Sequence, residues 1–278
     1  MPIDENNITL DARSQYLRKL LVRSLDGGGR GHVGPALSLI EIMRVLYDDI
    51  LKVDPQNPTW RERDRCILSK GHGCIAQYVL LAEKRFFPVE ALDTMCHFDS
   101  ILGGHPEWGK VPGVEASTGS LGHGLPIGIG MALAAKIEKR ASRVFVIMGD
   151  GEINEGSVWE AAMMAKKHQL DNLIVIVDWN KIQSAGQTKE ILDMSPLPEK
   201  WQSFGFETVE LNGHDVEALY AAFQRVPLVK GKPTAFLCHT VKGKGISFAE
   251  HNPGWHHKTN IEPEILEQMY QQVGGRDA

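Results

Sequence analysis

The strongest pattern of apolar and polar positions spans residues 142–184. Residues 144–148 and 173–177 are short continuous apolar runs, partly β-branched, which predict strands buried on both faces of a parallel sheet. Between them Val158, Trp159, Ala162, Met163, Met164 and Ala165 predict a helix with a broad inward face. Lys166, Lys167 and His168 complement the negative pole of that helix. The stretch therefore reads as strand, Gly149-Asp150-Gly151 turn, helix, strand, and a loop bearing Asn180.

The alternation continues on either side. Leu17, Leu20, Leu21 and Leu25 predict a helix over residues 11–25, stopped by the glycine-rich residues 26–31. A second helix is predicted over 38–50, with Ser38 as its cap, Glu41 three places on, and Leu39, Ile42, Met43, Leu46 and Ile50 inward. Residues 51–65 form an exposed connection. A strand over 65–69, a turn at 70–73 and a helix over 75–84 follow. In the apolar stretch 125–135, Gly128 and Gly130 are expected to pack between helix and sheet. Further strands are predicted at 206–211 and 234–239 with a helix over 216–226 between them, and the tail 274–278 is expected to fray. No repeat, low-complexity tract or domain boundary interrupts the pattern. The expected fold class is α/β, a parallel twisted sheet with helices on both faces, forming a single domain over residues 1–278 with a C-terminal loop and helix extension.

Composition narrows the function. With 278 residues, 42% of them hydrophobic, the chain can bury a full core. A net charge of −5 and the lack of a long Lys/Arg run argue against a nucleic-acid surface. No run approaches the roughly 18 apolar residues of a membrane span, and residues 1–15 lack a basic segment followed by an apolar one, so neither an export nor a membrane role is expected. Cys66, Cys74, Cys96 and Cys238 show no CxxC pairing and are expected to be buried or incidental thiols in a reducing cytoplasm.

Candidate chemistry gathers where strands end. Ligands of open α/β sheets lie outside the carboxyl ends of the strands, and here Asp150 follows one strand while Asp178 and Asn180 follow the next. Mg²⁺ takes about six oxygens and usually keeps places for water and phosphate. Asp150, Asn180 and the carbonyl of Ile182 would leave such places for a diphosphate, although Gly-Asp-Gly alone also suits an ordinary turn. His72, in the turn after a strand, could donate to a phosphate beside the N–H groups of a helix start, or be a solvated loop histidine. The glycines clustered just before His32 would let the backbone turn tightly and approach a ligand there, or simply make a flexible connection between helices. Loops 103–107 and 117–124 are rich in small residues that leave room for a cofactor ring, or that merely pack against their neighbours. Lys242-Gly243-Lys244-Gly245 lacks the spacing of a P-loop. His256 and His257 are either an exposed pair or a metal pair lacking further ligands.

GDGEINEG followed by the Asn of VDWNKIQ resembles the thiamine-diphosphate motif of the transketolase family, and the similarity extends from the helix before His32 through the loop at Trp255 and His256. GHVGPALS resembles the family segment whose histidine faces the substrate, which is His32 here. LSKGHG resembles the one whose histidine touches the cofactor diphosphate, which is His72, and GGHPE carries a further substrate-side histidine, His105. TGSLGHG resembles the segment packed on the thiazolium side and implies Gly119, Ser120 and Leu121. The resemblance further implies Asp150, Asn180 and the Ile182 carbonyl as ligands of Mg²⁺, replaceable by Ca²⁺ or Mn²⁺. It also implies Gly151 as a backbone amide at the diphosphate and Glu155 as an acidic residue near the dimer axis. KGKGISFAEHNPGWHH resembles a loop with a histidine near the reacting centre, best matched by His256. The family more often has glycine at position 257, and many members have glutamine at 123.

By resemblance, this is the N-terminal, diphosphate-binding subunit of a split transketolase. It would use thiamine diphosphate to move a two-carbon ketol unit from a ketose, phosphorylated in the expected case, to an aldose. The family's activating glutamate lies in a pyrimidine-binding domain, so the partner implied is a C-terminal transketolase subunit in an α2β2 heterotetramer. The alternatives are a subunit of a deoxyxylulose-phosphate-synthase-like or 2-oxo-acid-dehydrogenase-like enzyme, or a non-catalytic partner of such an enzyme.

Overall fold

The computed structural model describes residues 3–276. Helix α1 (Ala12–Gly28) starts where the Asp11 carboxylate accepts from the Ser14 N–H at 2.8 Å, and it buries Leu17, Leu20, Leu21 and Leu25 as expected. It runs through the first glycines instead of stopping before them. Their lack of a side chain serves packing: a Cβ on Gly27 would lie 2.3 Å from the Asp93 carbonyl oxygen. The helix ends at Gly29, whose φ of 64° closes it in the left-handed region.

A short helix that was not expected, α2 (Val33–Leu37), precedes α3 (Ile40–Val45) and one π-helical turn, Leu46–Ile50, which stand in place of the helix expected over 38–50. Ser38 does not cap it. Its hydroxyl is buried and donates to Asp178 at 2.7 Å, a long-range bond that the local pattern could not show.

The remaining elements are β1 (Arg65–Leu68), α4 (Cys74–Glu83), α5 (Gly124–Ile137), β2 (Val144–Gly149), α6 (Gly156–Lys167), β3 (Leu173–Trp179), α7 (Thr188–Ile191), α8 (Leu197–Ser203), β4 (Glu207–Asn212), α9 (Val216–Phe223), β5 (Thr234–His239) and α10 (Pro263–Gln272). Among the described residues the five strands pair in parallel, in the order β1-β2-β3-β5-β4. Alternate residues of one strand enter different cores: Phe145, Ile147, Ile174 and Ile176 join the layer with α1, α3 and α4, whereas Val144, Val146, Val175 and Val177 join that with α5 and α6. Burial on both faces is why these strands read as continuous apolar runs.

Helix α6 departs from its pattern. Val158, Ala161, Ala162 and Ala165 are its buried residues, while Met163 and Met164 are 56% and 42% exposed. Small residues form the inward stripe because α5 packs against α6. Gly128 does pack as expected, a Cβ there lying 2.5 Å from the Val146 side chain, but Gly130 is exposed and faces open space. The tail is tied down as far as Arg276, which donates to Asp26 at 2.7 Å; residues 277 and 278 lie outside the described residues. Among the described residues no helix is long and apolar enough to cross a membrane.

Parallel strands all end on one edge. The loops after β1, β2, β3 and β5 therefore meet, and the segment before α2 joins them.

Candidate functional site

A cavity of about 240 Å³ opens at that edge. Lys70 and His72 reach it from the end of β1, Asp150 and Gly151 from β2, Asn180 and Ile182 from β3, and Lys242 and His256 from beyond β5. His32, His105, Gly119 and Leu121 complete the wall.

Asp178 is the hub beneath it. The fully buried carboxylate accepts from Ser38, Lys70, Thr240 and, at 3.0 Å, the Asn180 side-chain amide. Burial pushes its carboxyl up, but Lys70 and the two hydroxyls outweigh that and hold it below the usual carboxylate range. Asp178 therefore supports the site instead of offering oxygens to it: by taking the Asn180 nitrogen it leaves the amide oxygen as the acceptor.

Asp150 is held differently. Its Oδ1 accepts from the Gly151 N–H at 2.8 Å and its Oδ2 from the Lys181 N–H, with no side-chain donor among the described residues. Burial, then the like charge of Asp178, raises its carboxyl to about 7. A cation at this carboxylate would relieve both. One is already close, for the Lys242 ammonium donates to the Ile182 carbonyl at 2.7 Å, and burial followed by Lys70 lowers that lysine to about 8.

The donor set is all oxygen. Among the described residues no group of three or more His, Cys, Asp or Glu could hold a metal ion by itself. Asp150, Asn180 and the Ile182 carbonyl fit a hard divalent ion that draws its other oxygens from a ligand, and Lys70 and Lys242 suit that ligand to be an anion.

Five histidines face one another on the other side. The His32 ring centroid lies 5.5 Å from that of His72, 5.6 Å from both His105 and His256, and 4.4 Å from His257. A single antiparallel bridge sets His257 opposite His32, with Gly31 and Lys258 exchanging N–H···O bonds of 2.9 Å in both directions. Burial first, and then the neighbouring cationic groups, lower His32 and His256 to about 3 and His72 further still; His105 and His257 are lowered as well. Across the group the shifts favour the neutral imidazole. Lys242 donates to the Nδ1 of His256 at 2.8 Å, which leaves the proton of that ring on Nε2.

The family model "Transketolase, thiamine diphosphate binding domain" matches residues 10–276. The chain belongs to the transketolase family. It is 43% identical over 249 residues to one subunit of an apulose-4-phosphate transketolase from Phocaeicola vulgatus, covering 90% of this chain and 88% of that protein. It is 42% identical over 248 residues to a 6-deoxy-6-sulfo-D-fructose transketolase subunit, SqwG, of a Clostridium species, covering 89% and 90%. Among solved structures, a transketolase of Pichia stipitis in complex with sedoheptulose-7-phosphate superposes with a TM-score of 0.87 at 30% identity, over 95% of this chain and 41% of that one. The chain thus spans about two-fifths of the full-length transketolases it matches. The expected family and the expected α/β fold are both borne out.

Within this transketolase site the sequence reading missed three residues. Lys70 and Lys242 are buried beside the cavity, and the second was passed over because KGKG was tested only as a P-loop. Glu152, also buried, accepts from Ser69, from the Gly122 N–H at 2.9 Å and from the Gly149 N–H at 3.1 Å, tying the 119–122 loop to β2. Glu152 directly follows the expected Gly149-Asp150-Gly151 turn, but its burial, the feature that marks it out, is not visible in the sequence. Two expected site residues stay outside the cavity: Ser120 is exposed, and Glu155 is exposed at the start of α6. His123 is exposed too, its Nδ1 3.0 Å from the Leu121 carbonyl. Cys66, Cys74 and Cys238 are buried thiols, with burial raising the first two to about 12.

Proposed function

We propose that this chain is the diphosphate-binding, N-terminal subunit of a split transketolase that moves a two-carbon ketol unit from a phosphorylated ketose to an aldose. The observation that carries the reading is one cavity with an all-oxygen corner, two buried lysines and a facing group of neutral histidines. Similarity along nearly the whole length to proteins named as transketolase subunits supports it. Residues 1–278 would act as one domain, in the cytoplasm and in carbohydrate metabolism. A C-terminal subunit with the pyrimidine-binding domain would complete an α2β2 heterotetramer.

Bound thiamine diphosphate would supply the carbanion chemistry that side chains cannot. Asp150, Asn180 and the Ile182 carbonyl would hold Mg²⁺, with Ca²⁺ or Mn²⁺ as substitutes. The Gly151 amide and His72 would donate to the diphosphate, while Gly119 and Leu121 line the ring side. His32, His105 and His256 would face the substrate as neutral imidazoles that donate to developing alkoxide oxygens and pass protons. Ser120 and Glu155 fall to the surface that the partner would cover.

The test is purification from the native cell with Mg²⁺ and thiamine diphosphate, followed by assays of the complex with ketose phosphates and with pyruvate. Ketose cleavage with ketol transfer to an aldose is the expected result. Pyruvate consumption without ketose cleavage would assign another enzyme of this cofactor, and uptake of neither substrate a non-catalytic role.

A further inference from the structure

Arg18 on α1, Glu41 on α3 and His214 between β4 and α9 are buried away from the cavity. Arg18 grips Glu41 with two bonds, Nη1 to Oε1 at 2.6 Å and Nη2 to Oε2 at 2.9 Å. The same Oε2 lies 2.8 Å from the Nδ1 of His214. Burial raises the Glu41 carboxyl, but Arg18 and His214 more than offset it and hold it far below the usual range. Buried ion pairs are often no more stabilising than apolar packing, so the bonds that leave this group are the informative ones.

Two of them reach a single turn. The Val241 N–H donates to His214 Nε2 at 2.8 Å, and Arg18 Nε donates to the Lys244 carbonyl at 2.8 Å. Between these anchors Lys242 extends to the Ile182 carbonyl and to His256. Gly243 and Gly245 take left-handed φ of 86° and 92°, and the turn is closed by a Lys244 N–H bond to the Val241 carbonyl at 3.2 Å and braced by bonds from Gly243 to Gly34 and from His251 to Lys242, none of which involves a side chain. Because His214 Nε2 accepts, its Nδ1 carries the proton and donates to Glu41, so the carboxylate fixes the tautomer that the turn requires.

We propose that Arg18, Glu41 and His214 are positioning residues for Lys242, a buried clamp on both ends of the 241–244 turn that aims the ammonium at the anionic end of the bound ligand. The aim at the ligand rests on the cavity reading given above, whereas the clamp is independent of it. Loss of His214 then acts on the site through Lys242.

Lysine acylation read by peptide mass spectrometry tests the clamp on the full chain without cofactor, with Lys70 as the internal reference. In His214→Phe, Lys242 labelling rises about tenfold, the scale on which supporting partners tune a site, while Lys70 labelling stays unchanged. In His214→Gln, whose amide oxygen can still accept from Val241, labelling of Lys242 returns toward wild type. Should the Phe variant not fold, His214→Asn, which can reach Glu41 but not Val241, takes its place. Equal Lys242 labelling in all variants, or Lys242 and Lys70 rising together, overturns the proposal. In the assembled complex, His214→Phe weakens Mg²⁺-thiamine diphosphate affinity but adds nothing in a Lys242→Met background; full additivity contradicts the clamp. A wild-type complex that takes up no cofactor refutes the cavity reading, and the labelling still decides the clamp.

Discussion

Asp150 and Asp178 stand at the carboxyl ends of neighbouring strands, where Gly149 pairs with Asp178 across β2 and β3. Both carboxylates are buried, and they behave oppositely. Asp178 is saturated by a lysine, two hydroxyls and an amide, so it is lowered and committed to holding neighbours. Among the described residues Asp150 receives only backbone N–H groups, and it is raised to about 7. One residue type at one sheet edge thus becomes a saturated support or an under-partnered carboxylate according to which donors surround it.

The largest effect that sharpens this contrast is expected from Asp178→Ala. It strands the Lys70 ammonium in the core and lowers stability by about 3–5 kcal/mol in chemical denaturation. A loss below about 1 kcal/mol, the scale of an exposed pair, would remove Asp178 from its role as hub.

Next is the pH dependence of cofactor affinity. Below about 7 a proton occupies the Asp150 carboxylate and competes with the ion, so Mg²⁺-thiamine diphosphate binding by the complex weakens as pH falls. Titrations at several pH values check it, and an affinity that is flat through neutrality contradicts it.

A smaller effect concerns stability without cofactor. His32 and His256 are lowered from 6.5 to about 3, so the unfolded chain binds more protons in that window and stability is lost as pH falls through it. Asp150, raised from 3.8 to about 7, acts in the opposite sense: its contribution is lost as pH rises. Removing it with Asp150→Asn makes the acid-side fall of the melting temperature steeper, which thermal unfolding across the window measures. The smallest effect is that of His123→Gln, an exposed change expected to alter stability by less than about 0.5 kcal/mol in the same assay.

Elements whose burial is two-sided or strictly periodic were legible in the sequence. The strands β2 and β3 and the leucines of α1 follow from local pattern. The turn carrying Asp150 and the loop carrying Asn180 were legible as well, because a motif names oxygen donors at a fixed spacing. Long-range bonds were not. Ser38 resembled a helix cap and instead serves Asp178, 140 residues away in the chain. Lys242 reaches the site because β5 lies beside β3, a strand order that no local window contains. Met163 and Met164 show the same limit, since residue type suggested burial where the packing of α5 left them outside.

The most direct measurement is a calorimetric titration of thiamine diphosphate into the purified complex, with and without Mg²⁺, for wild type and Asp150→Ala. The expected result is Mg²⁺-dependent binding by the wild type that is abolished in the variant while its fold is retained. Metal-dependent binding of unchanged affinity in Asp150→Ala would contradict the assignment of Asp150 and, with it, the reading of this cavity.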